Sequence, residues 1–351
     1  MNHSLNITLS PTDIFNITDP GQNSTGPLYH GGIATQIAFA VVAIISIVGN
    51  GLVFILLLYS RKLRNSCHSV LIWNLALVDF LTGVFVIATP AHIIREAYIH
   101  PPPGLGGQMF CKFISSELFT FWFGFTSMYI LVVLAIERRY AVVRSNVHSR
   151  YFTIKKTRII LIFVWILGFI LVMVNLFQVS YQKDKNPPCQ WSYLPDVTLH
   201  MTVYLLLFCL RFLIPMAVII FCYLDIWRFM RMTIQNFPNQ ITKQNTATYK
   251  MKTKITITCA ITSIAFFLCW LPNQIYFTLA NLNLLQVGVD FHFVTKLLVL
   301  LNSAINPFIY SITNPYYRQE FRKMMEQVRC YKKQKPIRGL TVSFRLPDNK
   351  S

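Results

Sequence analysis

Four ionisable side chains, Asp79, Glu117, Arg211 and Lys296, stand inside long apolar runs of the sequence. A charge held at the middle of a bilayer costs at least ~2.5 kcal/mol on insertion scales, so each should face a bundle interior, a watered cavity or a partner. Asp79 is the deepest. Ser127, Asn302, Ser303 and Asn306 lie at comparable depth. With Asp79 they could hold a small hydrated cation, or form a hydrogen-bonded polar core with no ion. Glu117, Arg211 and Lys296 fall in the outer halves of their runs. A cavity lined by two cations and one anion suits a ligand carrying an acidic group, and the alternative is an internal pairing of Glu117 with Lys296 or Arg211.

Catalytic chemistry has no comparable footing. There is no Gly-x-Ser-x-Gly elbow, no His-Glu-x-x-His pair, no phosphate loop and no Cys/His grouping at zinc-ligand spacing. Of the eight cysteines, Cys209, Cys222, Cys259 and Cys269 lie in apolar runs, and Cys67 and Cys330 lie on the basic side. That leaves Cys111 and Cys189 facing an oxidising exterior, where such a pair bonds. The expected disulfide ties residues 181–198 to the top of the third run.

The elements that position these residues are helices. With 54% hydrophobic and 13% charged residues and a mean hydropathy of +0.47, the chain reads as an all-α membrane protein. The apolar runs are about Ile33–Tyr59, Val70–Ile94, Cys111–Tyr140, Ile159–Ser180, Met201–Leu224, Ile255–Leu282 and Phe291–Ile312. Each is long enough for a helix of about 20 residues to cross the hydrocarbon core. The expectation is a seven-transmembrane helix bundle, residues 33–312, followed by a short amphipathic cytoplasmic helix, residues 313–330, and a cytoplasmic tail, residues 331–351. In that amphipathic stretch Tyr317, Phe321 and Met324 or Met325 recur at helical spacing among Arg318, Arg322, Lys323 and Arg329. Cys330 after them is a candidate for palmitoylation.

A net charge of +19 raises the question of nucleic acid, and the distribution answers it. Of 32 Lys and Arg, 26 fall in residues 61–69, 138–158, 228–254 and 316–350, the alternate connections and the tail. This is the positive-inside bias of a multi-span protein, matched to anionic lipid and a cytoplasmic partner rather than to nucleic acid. Residues 1–32 carry no Lys or Arg and no signal-peptide core, and they hold sequons at Asn2, Asn6, Asn16 and Asn23. They read as an uncleaved, glycosylated extracellular tail on a plasma-membrane protein.

Glu137-Arg138-Arg139-Tyr140, Cys269-Trp270-Leu271-Pro272 and Asn306-Pro307-Phe308-Ile309-Tyr310 stand at the ends or bends of the third, sixth and seventh runs. With Asn50, the run Asn74 to Asp79, Trp165 and Pro215, they make the sequence resemble the rhodopsin-like (class A) G-protein-coupled receptors over about residues 33–330. The resemblance implies a receptor that drives nucleotide exchange on a heterotrimeric G protein, with arrestin as a further partner, and it implies no enzyme activity. It implies that Arg138, beside Glu137, reaches the G protein with help from Tyr223 and Tyr310. Trp270 and Pro272 become the switch at the pocket floor, and Phe266, Pro215 and Met128 the packing relay beneath it. Asn306, Pro307 and Tyr310 complete the switch set. Asp79, Ser127, Asn302 and Ser303 become a pocket for a regulatory sodium ion, the one cofactor in prospect. The chain departs from the pattern in three places. Arg139 stands where tyrosine is usual, residue 252 is lysine where some relatives place an acid, and the interval from Cys111 to Arg138 is two residues longer than usual.

A sequon-bearing tail, a Lys- and Pro-containing outer loop and a mixed-charge pocket look most like peptide-activated members. The ligand-binding set is then Arg95, Glu117, Thr120, Trp191, Arg211, Asn273, Gln274, Tyr276 and Lys296. The alternative ligand is a small acid held by Arg211 and Lys296, and a remote alternative is a seven-span transporter. Transporters show internal repeats and broken half-helices, which this sequence lacks.

Overall fold

The computed structural model describes residues 33–60, 66–89, 92–93, 101–185, 188–192, 194–236, 243–282, 284–285, 289–313 and 315–334. The four sequons, Pro90 and Arg95 lie outside them, as does the side chain of Cys330. Among the described residues seven helices are long and apolar enough to cross a membrane: Ile33–Tyr59, Cys67–Ala88, Leu105–Val143, Ile154–Gln178, Val197–Thr233, Met251–Asn281 and Phe291–Thr313. A spanning helix satisfies every backbone group internally, which is why apolar runs of this length fold this way in lipid. Ile162, Phe163, Ile166 and Ile170 of the fourth span are turned outward, as a lipid-facing stripe requires.

Local chemistry sets several helix ends. Ser66 Oγ accepts from Ser69 N, Thr153 Oγ1 from Lys156 N, and Asp196 Oδ1 from Thr198 N and Leu199 N, three N-caps that satisfy otherwise orphaned donors. The second span stops at Ala88, six residues before the Ile94 expected from its apolar run. Thr89 adopts φ −88° and ψ 108°, the extended geometry forced on a residue that precedes proline.

The third span departs furthest from a plain helix. It begins as Leu105–Met109, widens into a π-helical turn over Phe110–Ser115, and passes through Glu117 at φ 56°. Glu117 is the one described non-glycine residue in the left-handed region. From Leu118 to Val143 the helix is regular. The two surplus residues between Cys111 and Arg138 therefore sit above Leu118, and the register counted upward from Arg138 runs unbroken to Thr120. A second π-helical turn, Cys209–Leu213, precedes Pro215 in the fifth span.

The core is built around this third span. Trp270, Phe266, Phe125, Met128, Leu75, Ile130 and Leu134 are all buried in one cluster. Gly124 is glycine for contact reasons, since a Cβ there would lie 2.4 Å from the Trp270 ring. Gly168 likewise lets the fourth span press on Thr126, whose Oγ1 would meet an added Cβ at 2.3 Å. Trp122 Nε1 donates to Trp165 O (2.9 Å) and Trp165 Nε1 to Asn74 Oδ1 (3.4 Å), joining spans two, three and four. After the seventh span the surface helix Pro315–Gln334 buries Tyr317 and Met324, and Ser60 Oγ donates to Glu320 Oε2 at 2.9 Å.

Candidate functional site

The candidate site runs through the bundle in three levels. At the outer end, Cys111 and Cys189 form the expected disulfide, with Cα atoms 5.2 Å apart. It anchors an antiparallel hairpin, β1 (Val179–Tyr181) and β2 (Cys189–Trp191), with Val179 opposite Trp191. Gln108 locks the hairpin to the third span, donating to Tyr181 O at 3.2 Å and accepting from Tyr181 N at 3.3 Å. Trp191 packs half-buried against the disulfide.

Below it, the Lys296 ammonium donates to Glu117 Oε1, joining the seventh span to the third. His92 Nε2 lies 3.7 Å from the other carboxylate oxygen, and His292 adds to the field at Glu117. Glu117 is 6% exposed at its side chain and Lys296 18%, so the cation is the reachable member of the pair. The pairing alternative in the sequence thus describes Glu117 and Lys296. Asn273 Nδ2 donates to Thr295 Oγ1 (3.3 Å), whose hydroxyl donates to His292 O (2.9 Å), and the Tyr276 ring meets Phe291 edge-on and His292 at a tilt. Asn273, Tyr276, Glu117 and Lys296 therefore share one neighbourhood. Thr120 and Gln274 are buried as well.

Arg211 belongs elsewhere. Its Nε donates to Leu171 O at 2.9 Å, its Nη2 donates to the same carbonyl, and its guanidinium lies 4.8 Å over the Phe125 ring. The wide turn at 209–213 surrounds it. Arg211 and Lys296 thus hold different partners, the Leu171 carbonyl and the Glu117 carboxylate. Phe125 is 5.5 Å from the Trp270 ring, and Trp270 stacks on Phe266 at 5.1 Å, so Arg211 connects to Trp270 and Phe266 through aromatic contacts.

At mid-depth Asn306 Nδ2 donates to Asp79 Oδ2 at 2.6 Å, and Ser303 interacts with the same carboxylate. Asn50 Nδ2 bridges Ser46 O and Ser303 O, at 2.9 and 2.8 Å, and Ser46 Oγ donates to Asp79 O. Ser127 Oγ and Asn302 Oδ1 are buried with no hydrogen-bond partner among the described residues. The donor set is all oxygen with one carboxylate, which suits a hard monovalent cation. Pro272 and Pro307 stand inside their helices, and Gly49 leaves room for the Pro307 ring.

At the inner end Arg138 is folded onto Glu137, with Nε to Oε2 2.6 Å and Nη2 to Oε1 2.5 Å. His148, on the loop helix Ser145–Tyr151, lies 2.9 Å from Glu137 Oε1. The Tyr310 hydroxyl is buried and unpartnered among the described residues, Tyr310 stacks on Tyr317, and the Tyr223 hydroxyl approaches Ser263. Lys252 Nζ reaches Ala141 O (3.3 Å), so the sixth span is held to the third without the acid that residue 252 lacks. Pro215, Met128, Phe266 and Trp270 share the buried core between the levels.

Sequence reasoning missed His92, His292, His148 and the contact of Arg139 with Asp225, because single histidines and single surface charges carry no spacing signal. A seven-helix bundle with a buried polar spine and an arginine held at its inner mouth defines a membrane receptor of the seven-helix class. A family model described as "7 transmembrane receptor (rhodopsin family)" matches residues 49–310, and the chain belongs to that family. It is a multi-pass membrane receptor of the G-protein-coupled kind and not an enzyme. It is similar to melatonin receptor type 1C of Gallus gallus, 24% identical over 328 residues, covering 88% of this chain and 89% of that one. It is also similar to somatostatin receptor type 1 of Rattus norvegicus, at 27% identity over 88% of this chain and 76% of the relative. Galanin receptor type 1 of Rattus norvegicus is 25% identical over 86% of this chain and 85% of its own length.

Proposed function

We propose that this receptor sits in the plasma membrane with its amino terminus outside, binds an extracellular peptide and activates heterotrimeric G proteins. The observation that carries the peptide reading is the Glu117–Lys296 pair. It offers a peptide one reachable cation beside a buried anion, within a neighbourhood of amides and phenols. Arg211 is bonded to Leu171 and Lys296 to Glu117, so the small-acid alternative requires both cations to exchange partners. Somatostatin and galanin receptors among the relatives favour the same reading by their names. The binding set remains Glu117, Thr120, Trp191, Arg211, Asn273, Gln274, Tyr276 and Lys296, with Arg95 added from the sequence. Arrestin is the expected second cytoplasmic partner.

Asp79, Ser127, Asn302 and Ser303 would hold a sodium ion, which would supply a fixed positive charge between the third and seventh spans. Asp79→Asn should then remove any sodium dependence of agonist affinity while leaving the fold intact, as read by agonist binding across a sodium series. A peptide and metabolite library applied to cells expressing the chain, read by G-protein dissociation, tests the main reading. Activation by small acids alone would overturn it.

A further inference from the structure

The second arginine of the Glu137-Arg138-Arg139 cluster is the chain's own variation, and the structure gives it a partner. Arg139 Nε donates to Asp225 Oδ2 at 2.6 Å, from the inner end of the third span to that of the fifth. The same guanidinium lies 5.3 Å over the Phe221 ring, one turn before Asp225 on the fifth span. One helical turn of the fifth span therefore grips Arg139 through a carboxylate and a ring face. The two charged side chains are 19% and 31% exposed, and Phe221 is turned outward among lipid-facing residues.

Two further contacts hold the same end of the bundle. Arg138 is turned in on Glu137, and Lys252 ties the sixth span to Ala141 of the third. Arg138, Arg139 and Ala141 lie within one turn of each other, so the fifth and sixth spans are both secured to the same short stretch. Cys222 lies beside both Arg139 and Asp225, Glu137 and His148 are engaged with Arg138 and each other, and Asp225 is the one acid paired with Arg139 among the described residues.

We propose that Arg139 and Asp225 are positioning residues for G-protein activation: their pair holds the inner end of the fifth span against the third, and so sets how often Arg138 is released without a ligand. Neither residue needs to touch the G protein for this. The inference rests on the receptor's family membership and not on the identity of its ligand.

The test uses the full-length receptor in lipid nanodiscs with a heterotrimer and no ligand. Asp225→Asn and Arg139→Gln should each raise basal nucleotide exchange about two- to fivefold, the range set by a partly exposed ion pair. The exchanged pair Arg139→Asp with Asp225→Arg should return most of the way to the native rate, which loss of a direct G-protein contact would not produce. Without any G protein, Asp225→Asn should speed amide hydrogen exchange over residues 219–231, a readout independent of coupling. Unchanged or lowered basal exchange in Asp225→Asn, or a double variant no closer to native than the single ones, would overturn the proposal. So would accelerated nucleotide exchange with unaltered hydrogen exchange in that segment.

Discussion

Two side chains show how much turns on a single atom group in this bundle. Lys296 neutralises a carboxylate that is almost wholly enclosed, so Lys296→Met leaves Glu117 buried with its cation gone and His92, 3.7 Å away, as the remaining basic neighbour. Breaking such a pair from one side costs about 3–5 kcal/mol, whereas removing both charges costs far less. Thermal melting in detergent should fall steeply for Lys296→Met and recover substantially in Glu117→Gln with Lys296→Met. Gly124 makes the complementary case without charge. Its alanine variant places a methyl against the Trp270 ring, and overpacking of this kind costs about 1–3 kcal/mol. The ring must move, so ligand-free G-protein activation should change in Gly124→Ala while a methyl placed elsewhere on the span leaves it alone. The Gly124 contact could not be read from sequence, because a glycine in a helix admits several partners, whereas depth alone narrowed the partner of Glu117 to Lys296 or Arg211.

At the scale of helices and loops, legibility depended on the length of the signal. The seven apolar runs predict the seven helices, since twenty consecutive apolar residues have few alternatives to a spanning helix. Ends were harder to read. The second span stops early because Pro90 acts on Thr89, a local steric rule that outweighs continued hydrophobicity. In the third span the long interval from Cys111 to Arg138 warned of an irregularity, but only coordinates place it in a π-helical turn followed by left-handed Glu117. The disulfide was legible by elimination of compartments, and its role is now concrete. The bond and Gln108 together fasten β1 and β2 to the third span's end. Cys189→Ser should free that hairpin and sharply lower agonist affinity, while the inner-end contacts persist as basal exchange near the native rate.

For the molecule as a whole, the separation of charge sets orientation. Basic residues crowd one face of the bundle and the sequons lie before the first span, so the tail should be glycosylated. Treatment with N-glycosidase should increase gel mobility of native receptor, and replacement of Asn2, Asn6, Asn16 and Asn23 by Gln should abolish the shift. Apolar length made the fold class and the seven spans readable, and the polar spine from Asp79 to Asn306 was readable as a group of depth-matched residues. Contacts such as Arg139 with Asp225 and Arg211 with Leu171 were not, because which helices touch is decided by three-dimensional packing. The kink above Leu118 also bears on how agonists for this receptor are designed. Each residue advances a helix by about 100°, so a pharmacophore aligned on a relative through the disulfide cysteine would arrive turned by about 200° around the third helix. Poses borrowed from other receptors should instead be threaded upward from Arg138, through the regular helix that reaches Leu118.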